Sequence, residues 1–287
     1  MARLFDYHSH SRFCDGSGEL ADYAESACSR GLAVFGFSGH APCPIASDWH
    51  MKAADLGRYL EEARAIAGRL AGRIEVLVGL EADYVPGVSS PRAIRGAQGL
   101  DFVIGSVHYL DRLSDGTPWT VDGPLEELRR GIAECFGGDA RPAVQRYFRL
   151  VAGMATADRP DVIGHIDLIR KNNDGLFDAE AAWYRDAVEE ALAAVADAAC
   201  VVEINTGAVS RGYRAGLYPT DGVLRSMARR RIPVTLGSDA HRPAHVAAHF
   251  PAALDALARS GYRECWSLSR AGWSAVPLDS LLRGDQR

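Results

Sequence analysis

Six of the nine histidines in the sequence lie where a short apolar segment ends, and three carboxylates occupy equivalent places. The histidines are His8, His10, His40, His108, His165 and His241, and the carboxylates are Asp15, Glu81 and Asp239. Carboxylates that gather without interleaved cations repel one another, which raises their pKa values. Neutral imidazole and ionised carboxylate are both good ligands for divalent metals. If the fold brings these side chains together, they predict a metal site.

Two pairs of candidate ligands are separated by a single residue, His8 with His10 and Asp239 with His241. Alternate residues of an extended strand point to the same side, so each pair can bind one ion. Nine candidates exceed what one ion takes, which predicts two or three ions that share a bridging carboxylate. The thiol-free set favours zinc, manganese or iron over Cu(I) or an iron–sulfur cluster. Calcium and magnesium fit poorly because they prefer oxygen-only ligand sets. The histidines that do not follow strands, and are assigned no metal, are His50, His245 and His249.

Short apolar segments alternate with longer amphipathic ones along almost the whole chain. We expect strands at residues 3–8, 33–38, 74–82, 102–107, 162–165, 200–205, 233–237 and 264–268. We expect helices at residues 20–30, 55–70, 124–136, 141–157, 179–198, 221–231 and 244–259. The strand segments are continuously apolar, which is typical of a parallel sheet buried on both faces. The helix segments repeat apolar residues at intervals of three and four, as a helix with one buried face requires.

Seven or eight strand–helix units without a linker or internal repeat predict a single α/β domain over residues 1–287. We expect one closed barrel, with a doubly wound open sheet as the alternative. In a barrel the loops that follow the strands open on one face, so the candidate ligands would converge there. Residues 111–123 are polar and rich in Gly, Pro and Asp, and are predicted to be a loop that lies over the site or is a surface excursion.

The composition limits the classes of partner. The chain has 287 residues, 47% of them hydrophobic, and a formal net charge of -5. It therefore lacks the basic surplus typical of proteins that bind nucleic acid or membranes. Apolar stretches are shorter than the ~18 residues of a membrane span, and no segment resembles a signal peptide. The six cysteines are scattered, with no C-x-x-C pair, as is typical of free thiols in a reducing compartment. We expect a cytoplasmic location.

Taken in chain order, the candidate ligands lie in motifs that resemble those of the polymerase-and-histidinol-phosphatase (PHP) family of metal-dependent phosphoesterases. The resemblance runs from Asp6 to about Leu268. The motifs are Tyr7-His8-Ser9-His10, Ser38-Gly39-His40-Ala41-Pro42, Gly79-Leu80-Glu81, Gly105-Ser106-Val107-His108, Gly164-His165-Ile166-Asp167 and Ser238-Asp239-Ala240-His241. Gly39 stands where the family usually has Asp, which affects a contact behind the metal ligands. The segment Glu203-Ile204-Asn205-Thr206, with Arg211 downstream, resembles the phosphatase branch of the family.

The resemblance implies a single distorted (β/α)7 TIM-like barrel with a trinuclear metal site at the C-terminal end of the strands. By motif position, the ligand sets would be His8, His10, Glu81 and Asp239 for one ion, Glu81, His108 and His165 for a second, and Asp15, His40 and His241 for a third. Asp15 lies in a loop whose ligand varies between family members, so it or a nearby residue would complete the third set.

Within the family, the sequence resembles the stand-alone phosphatases, which implies hydrolysis of L-histidinol phosphate in histidine biosynthesis. In our mechanistic hypothesis a metal-bridging hydroxide attacks phosphorus in line, without a phospho-enzyme. The residues expected to take part in catalysis are Asp239, as ligand and proton acceptor, Glu81 and Arg211. The candidate substrate-binding residues are Arg211, Arg170, Lys171, His50 and Asp167. Asp167 would either orient His165 or face the substrate amine.

Two other classes of function remain open at this point. One is a related phosphoesterase that acts on another small phosphomonoester or on the ends of nucleotides and oligonucleotides. The acidic balance of the chain counts against a polynucleotide substrate. The other is a metal-binding module without turnover, which the complete set of ligand-type residues disfavours.

Overall fold

The computed structural model describes residues 4–282, so the start of the first predicted strand and both ends of the predicted domain lie outside the described residues. In chain order the strands are β1 (Phe5–Asp6), β2 (Val34–Phe37), β3 (Glu75–Asp83), β4 (Phe102–Ser106), β5 (Tyr109–Arg112), β6 (Pro118–Thr120), β7 (Val162–Ile163), β8 (Val201–Asn205), β9 (Val234–Gly237), β10 (Glu264–Ser269) and β11 (Gly272–Pro277). Seven of them form a parallel sheet in the order β1-β2-β3-β4-β7-β8-β9.

The sheet curves into a nearly closed barrel. Its first and last strands meet just beyond their ends, where Ser9 and Ala240 form a parallel bridge. There the His10 N–H donates to the Ala240 carbonyl at 2.9 Å, and the Ala240 N–H donates to the His8 carbonyl at 3.1 Å. The predicted closed barrel is therefore confirmed, and the alternative of an open sheet is excluded. Since all seven strands are parallel, their carboxyl ends open on one face.

Helices lie in the connections between the barrel strands and after the last of these strands. They are α1 (Leu20–Ser29), α2 (Leu56–Leu70), α3 (Pro91–Gln98), α4 (Leu125–Phe136), α5 (Ala140–Ala157), α6 (Ala182–Asp197), α7 (Gly207–Ser210), α8 (Asp221–Arg229), α9 (Phe250–Arg259) and α10 (Leu278–Leu282). In α2 the apolar residues at intervals of three and four are buried, as the pattern predicts. Helices α3, α7 and α10 are absent from the sequence prediction; α7 and α10 are too short to show a period.

The prediction that residues 111–123 form a loop is wrong. Strands β5 and β6 pair there as an antiparallel hairpin. Its apolar side chains explain the difference, because Trp119 is fully buried and Leu113 and Val121 are buried beside it. A Cβ at Gly131 of α4 would clash with the Trp119 ring, so the glycine makes room for this packing. The polar residues that suggested a loop lie in the turn between the two strands, on the strands themselves and just after β6.

The segment at 264–268 is a strand, as expected, but among the described residues β10 pairs with β11 alone, antiparallel. Of the seven or eight predicted strand–helix units, seven therefore form the barrel. The helix expected at 244–259 begins at Phe250, after a short turn at Pro243–His245. Pro251 has no N–H to donate and its ring would clash with the carbonyl four residues earlier, so the helix cannot continue back through residues 244–249, and His249 adopts φ 62°. The remaining predicted helices agree with the observed bounds to within three residues.

Candidate metal centre

The first strand delivers two imidazoles to the mouth of the barrel. His8 and His10 are buried, and their ring centroids lie 5.1 Å apart. Ser9 between them points the other way, where its hydroxyl donates to the Gly36 carbonyl at 3.0 Å. This alternation is the extended geometry that the H-x-H spacing predicts. Both rings therefore face one point at the carboxyl end of the sheet.

Glu81, in the carboxyl-terminal half of β3, lies at the centre of the cluster. Its carboxylate oxygens approach nitrogens of five imidazoles, His8 at 3.2 Å, His10 at 3.5 Å, His40 at 3.0 Å, His108 at 3.7 Å and His165 at 3.0 Å. The Ser106 hydroxyl of the next strand donates to the same carboxylate at 2.6 Å. A buried carboxylate shared by this many imidazoles has the surroundings expected of a bridging metal ligand.

A second part of the cluster lies nearer the surface. Asp15 approaches His10 at 3.6 Å, His40 at 3.7 Å and His241 at 3.0 Å. Asp239 Oδ1 lies 3.2 Å from His10 Nε2 and 3.4 Å from His241 Nδ1. The structure thus brings all nine predicted ligands into one cluster, although they are spread from residue 8 to residue 241.

Several buried ring and carboxylate atoms of the cluster have no hydrogen-bond partner within residues 4–282, and four of them belong to Glu81 and to the imidazoles after β1 and β2 that face it. These four atoms are His8 Nε2, His10 Nε2, His40 Nδ1 and Glu81 Oε2. Buried polar atoms without partners are costly, unless something else satisfies them. Within each of three groups, one ligand atom per residue lies within 4.8 Å of the others: His10, Asp15, His40 and His241; His8, Glu81 and His165; His8, His10 and Asp239. Divalent metal ions fit this donor set of neutral imidazoles and carboxylates.

The electrostatics of the cluster keep its carboxylates ionised. Burial alone would raise the pKa of Glu81, but the imidazoles of His8 and His40 outweigh burial and hold that pKa well below its ordinary value. Burial likewise opposes ionisation of Asp239, yet the Arg211 guanidinium and His8 keep its pKa well below the usual range. Burial, with His241 and His40 nearby, lowers the pKa of His10 to about 3. His10 is therefore neutral and free to coordinate a cation.

Glu203 on β8 supports the cluster from behind. Its carboxylate accepts from His8 Nδ1 at 2.8 Å, from the His165 N–H at 2.8 Å and from the Asn205 side-chain amide at 2.7 Å. A bond at Nδ1 fixes the ring so that Nε2 points at Glu81. A Cβ at Gly237 would clash with the Glu203 carboxylate, so the neighbouring strand can carry only glycine there.

Asp83 supports His108 in the same way. Its carboxylate accepts from His108 Nδ1 at 2.7 Å and from His50 Nε2 at 2.6 Å, while His50 Nδ1 bonds to the Ser47 hydroxyl at 2.6 Å. His50 therefore lies behind the ligands rather than in the cavity lining. The sequence analysis did not select Asp83, although it follows Glu81 with the same spacing of two as the H-x-H pair.

Gly39, the departure from the family motif, lies beside a cysteine. A Cβ at Gly39 would come within 3.2 Å of Cys14 Sγ. That sulfur lies 3.7 Å from His10 Nδ1. The thiol thus occupies the space behind His10 that a side chain at position 39 would share. His40 keeps its place in the cluster, as expected.

A cavity of about 340 Å³ opens over the cluster. Two cations line it, Lys171 and Arg211, together with Trp49 and Asp122. Arg211 donates to Asp239 Oδ2 at 2.8 Å, and its Nη1 lies 3.0 Å from His241 Nδ1. The cavity therefore offers positive charge beside the ligand cluster, where an anionic group could bind.

Asp167 and Arg170, like His50, were predicted to bind substrate but do not line this cavity. Asp167 is fully buried and accepts from Arg170 Nε at 2.8 Å and from the Thr220 N–H at 3.0 Å. Arg170 also donates to the carbonyls of Ala215 and Leu217, and its guanidinium lies 4.8 Å from the Tyr218 ring centroid. This ion pair holds the segment after α7 in place. The sequence pattern alone does not distinguish it from a substrate site.

Seven parallel strands that gather imidazoles and carboxylates at their carboxyl ends define a barrel metalloenzyme of the α/β class. The sequence profile of the PHP domain matches residues 6–207. The chain therefore belongs to the PHP domain family. Within residues 4–282, none of the helices is long and apolar enough to cross a membrane.

Relatives of known name match along nearly the full chain. A protein of Deinococcus radiodurans named probable histidinol-phosphatase is 34% identical over 270 residues, which cover 92% of this chain and 96% of the relative. The histidinol-phosphatase of Bacillus subtilis is 27% identical over 266 residues, and this match covers 87% of this chain and 98% of the relative. The histidinol phosphate phosphatase of Lactococcus lactis, solved with zinc, L-histidinol and phosphate, has a TM-score of 0.74 at 20% identity, over 96% of this chain and all of that one. This last likeness supports the fold.

Proposed function

We propose that this protein is a histidinol-phosphatase, a phosphoric monoester hydrolase that converts L-histidinol phosphate into L-histidinol and phosphate. The observation that carries the proposal is that all nine predicted metal ligands meet below one cavity that also presents Lys171 and Arg211. The relatives from Deinococcus radiodurans and Bacillus subtilis support it, because they carry this name and match along most of their lengths.

The proposed cofactors are two or three divalent ions, with zinc, manganese or iron as candidates. The three groups of converging ligand atoms provide places for them, and Glu81 would be shared. The Lactococcus lactis enzyme was solved with zinc, which is among these candidates. When bound, such ions would supply a water of lowered pKa and would neutralise charge on phosphoryl and leaving-group oxygens.

The side chains of this protein would bind the phosphate, exclude water and hold the ligand rings in place. Arg211 and Lys171 bind phosphate oxygens at the rim, and the buried position of the cluster excludes bulk water from the reacting group. Asp239 presents Oδ1 to the cluster, while its Oδ2 accepts from Arg211. Because Arg211 and His8 hold the pKa of Asp239 low despite its burial, this carboxylate is a better ligand than proton acceptor. Glu203 and Asp83 keep two ligand rings in their orientations.

The test is phosphate release by purified protein whose bound metals have been measured. We expect two or three divalent ions per chain and a kcat/KM for L-histidinol phosphate of at least about 10⁴ M⁻¹s⁻¹, the lower end of the usual range. Mononucleotides and a single-stranded oligonucleotide serve as comparison substrates and should react far more slowly. Turnover of the oligonucleotide alone would contradict the substrate and leave a metal-dependent phosphoesterase. Full metal content without turnover of any substrate would indicate a binding module.

A cytoplasmic location and the absence of a nucleic-acid or membrane partner stay predictions from the sequence.

A further inference from the structure

The cavity lining carries a fourth carboxylate that the metal cluster does not use. Asp15, Glu81 and Asp239 belong to the cluster, whereas Asp122 lies on the hairpin side of the cavity. Its side chain is 26% exposed and lines the cavity above the metal ligands. An acidic group is unexpected in a pocket that binds a dianion, unless the substrate also carries positive charge.

Asp122 is held by several independent contacts. The N–H of the preceding Val121 donates to the His108 carbonyl at 2.9 Å, which joins the end of β6 to the backbone of a predicted metal ligand. On the other side, Lys171 Nζ donates to the Asp122 carbonyl at 2.9 Å, and the Asn172 side chain donates to it at 3.4 Å. Glu127 accepts from the Thr120 N–H at 2.7 Å. This loop therefore presents the carboxylate in a defined place.

Lys171 and Asp122 place opposite charges side by side in the cavity lining. Lys171 Nζ lies 3.2 Å from Asp122 Oδ2. L-Histidinol phosphate also carries opposite charges close together, since its ammonium group is on the carbon next to the phosphorylated hydroxymethyl group. An adjacent cation and anion in the protein can each bind one of these groups. Asp167, the candidate considered from the sequence, is buried against Arg170 and cannot do so.

We propose that Asp122 is the specificity residue that binds the primary ammonium group of the substrate, while Lys171 binds its phosphate. This assignment rests on the proposed function. Trp49 lines the same cavity and stacks on Tyr109, with ring centroids 5.7 Å apart. Its indole provides an aromatic surface against which the imidazole ring of the substrate packs.

The experiment compares Asp122→Asn with the unmodified protein on two substrates. One is L-histidinol phosphate, and the other is its deaminated analogue, in which hydrogen replaces the amino group. The unmodified protein should prefer the amino substrate, and Asp122→Asn should lower kcat/KM for it by about 10- to 100-fold, the size expected for a lost charged hydrogen bond. For the analogue, kcat/KM should change by less than about threefold. Calorimetry should show weaker binding of L-histidinol to the variant and unchanged binding of inorganic phosphate.

Asp111→Asn is the matched control. It makes the same chemical change on β5 of the same hairpin, where Asp111 pairs with Arg146 at 3.1 Å on the surface. It should leave both substrates and both ligands unaffected.

The possible failures are distinguishable. If the unmodified protein releases no phosphate from L-histidinol phosphate, the proposed function is wrong. If it does so but shows no preference over the analogue, or if Asp122→Asn slows both substrates equally, only the assignment of Asp122 is overturned. If the variant does not fold, the absence of a preference in the unmodified protein still overturns the assignment.

Discussion

The residues around the cavity fall into two sets that are built differently. One set lies on or just beyond the barrel strands and includes His8, Glu81 and His165, whose side chains are at most 4% exposed. The other lies on loops and includes Asp15 and Arg211, with 29% and 24% exposed. The strand set is fixed by the barrel itself, whereas the loop set depends on side chains that clamp each loop. The buried centre of the metal cluster therefore lies in the strand set, whereas the loop set adds the outer ligand Asp15 and the cation Arg211 at the cavity.

The backbone around Glu81 shows why the strand set is rigid. The Glu81 N–H donates to the Ser38 carbonyl at 3.0 Å, and its carbonyl accepts from the Ala41 N–H at 2.7 Å. On the other side of β3, Ile104 of β4 pairs with Glu81. A residue held by strands on both sides has little freedom to move. Loop residues such as Arg211 lack such pairing, so their positions depend on fewer contacts.

The largest effect is expected from Glu81→Gln, which replaces the shared carboxylate by an amide of the same shape. Turnover should fall by more than about 100-fold, beyond the usual effect of a group behind the ligands, and bound metal should fall with it. Phosphate release and metal analysis check this result. Glu75→Gln, at the opposite end of β3, is the control and should retain both. Near-native metal content and turnover in Glu81→Gln would contradict the assignment of the strand set.

The loop set should be sensitive to the removal of its clamp. Arg170→Ala leaves Asp167 buried without its partner, which costs about 3 kcal/mol of unfolding free energy. It also frees the carbonyls of Ala215 and Leu217, so substrate KM should rise more than metal content falls. Urea unfolding and kinetics measure the two effects. Arg229→Ala, whose side chain is 66% exposed, is the control and should change neither. An unchanged unfolding free energy in Arg170→Ala would show that the clamp is unimportant.

A smaller effect is expected from Glu203→Gln, which alters a support of the strand set without touching its cavity side. The amide can keep the bond to the His165 N–H but no longer balances His8, so metal affinity or activity should drop by about 10- to 100-fold. Excess metal should restore turnover, which a purely structural defect would not allow. The surface variant Glu189→Gln serves for comparison. Loss of activity that no metal concentration restores would argue against an orienting role.

Metal binding should release protons from the strand set. Burial alone would lower the pKa of His108, but the carboxylate of Asp83 raises this pKa to about 10. His108 is therefore protonated at neutral pH before metal binds, and coordination requires the proton on Nε2 to leave. Burial also opposes protonation of His8, but the carboxylate of Glu203 raises the pKa of His8 well above its ordinary value. Metal affinity should rise with pH in the neutral range. Calorimetric titration in two buffers of different ionisation enthalpy measures this release, and identical heats would exclude it.

Much of this arrangement can be predicted from local sequence features. The ends of apolar segments locate His8, Glu81 and Asp239, because a buried parallel strand needs a continuous apolar run and a polar residue follows where it opens to the cavity. The spacing of two in His8 and His10 implies the shared direction that the structure shows. Hairpin residues such as Trp119 were misread, because polar turn residues around them resemble a plain loop.

The sequence by itself determined the alternation of strands and helices, the ligand types and the class of chemistry, because these depend on residue type and on periods of two and 3.6 along the chain. The tertiary structure alone decided which charged groups face the cavity. His8 meets Glu203 across 195 residues, Lys171 meets the Asp122 carbonyl across 49, and Arg170 turns to Asp167 instead of the substrate. The first two pairings join segments distant in the chain, and the third depends on the conformation of the loop after β7, so the local pattern carries no period for any of them.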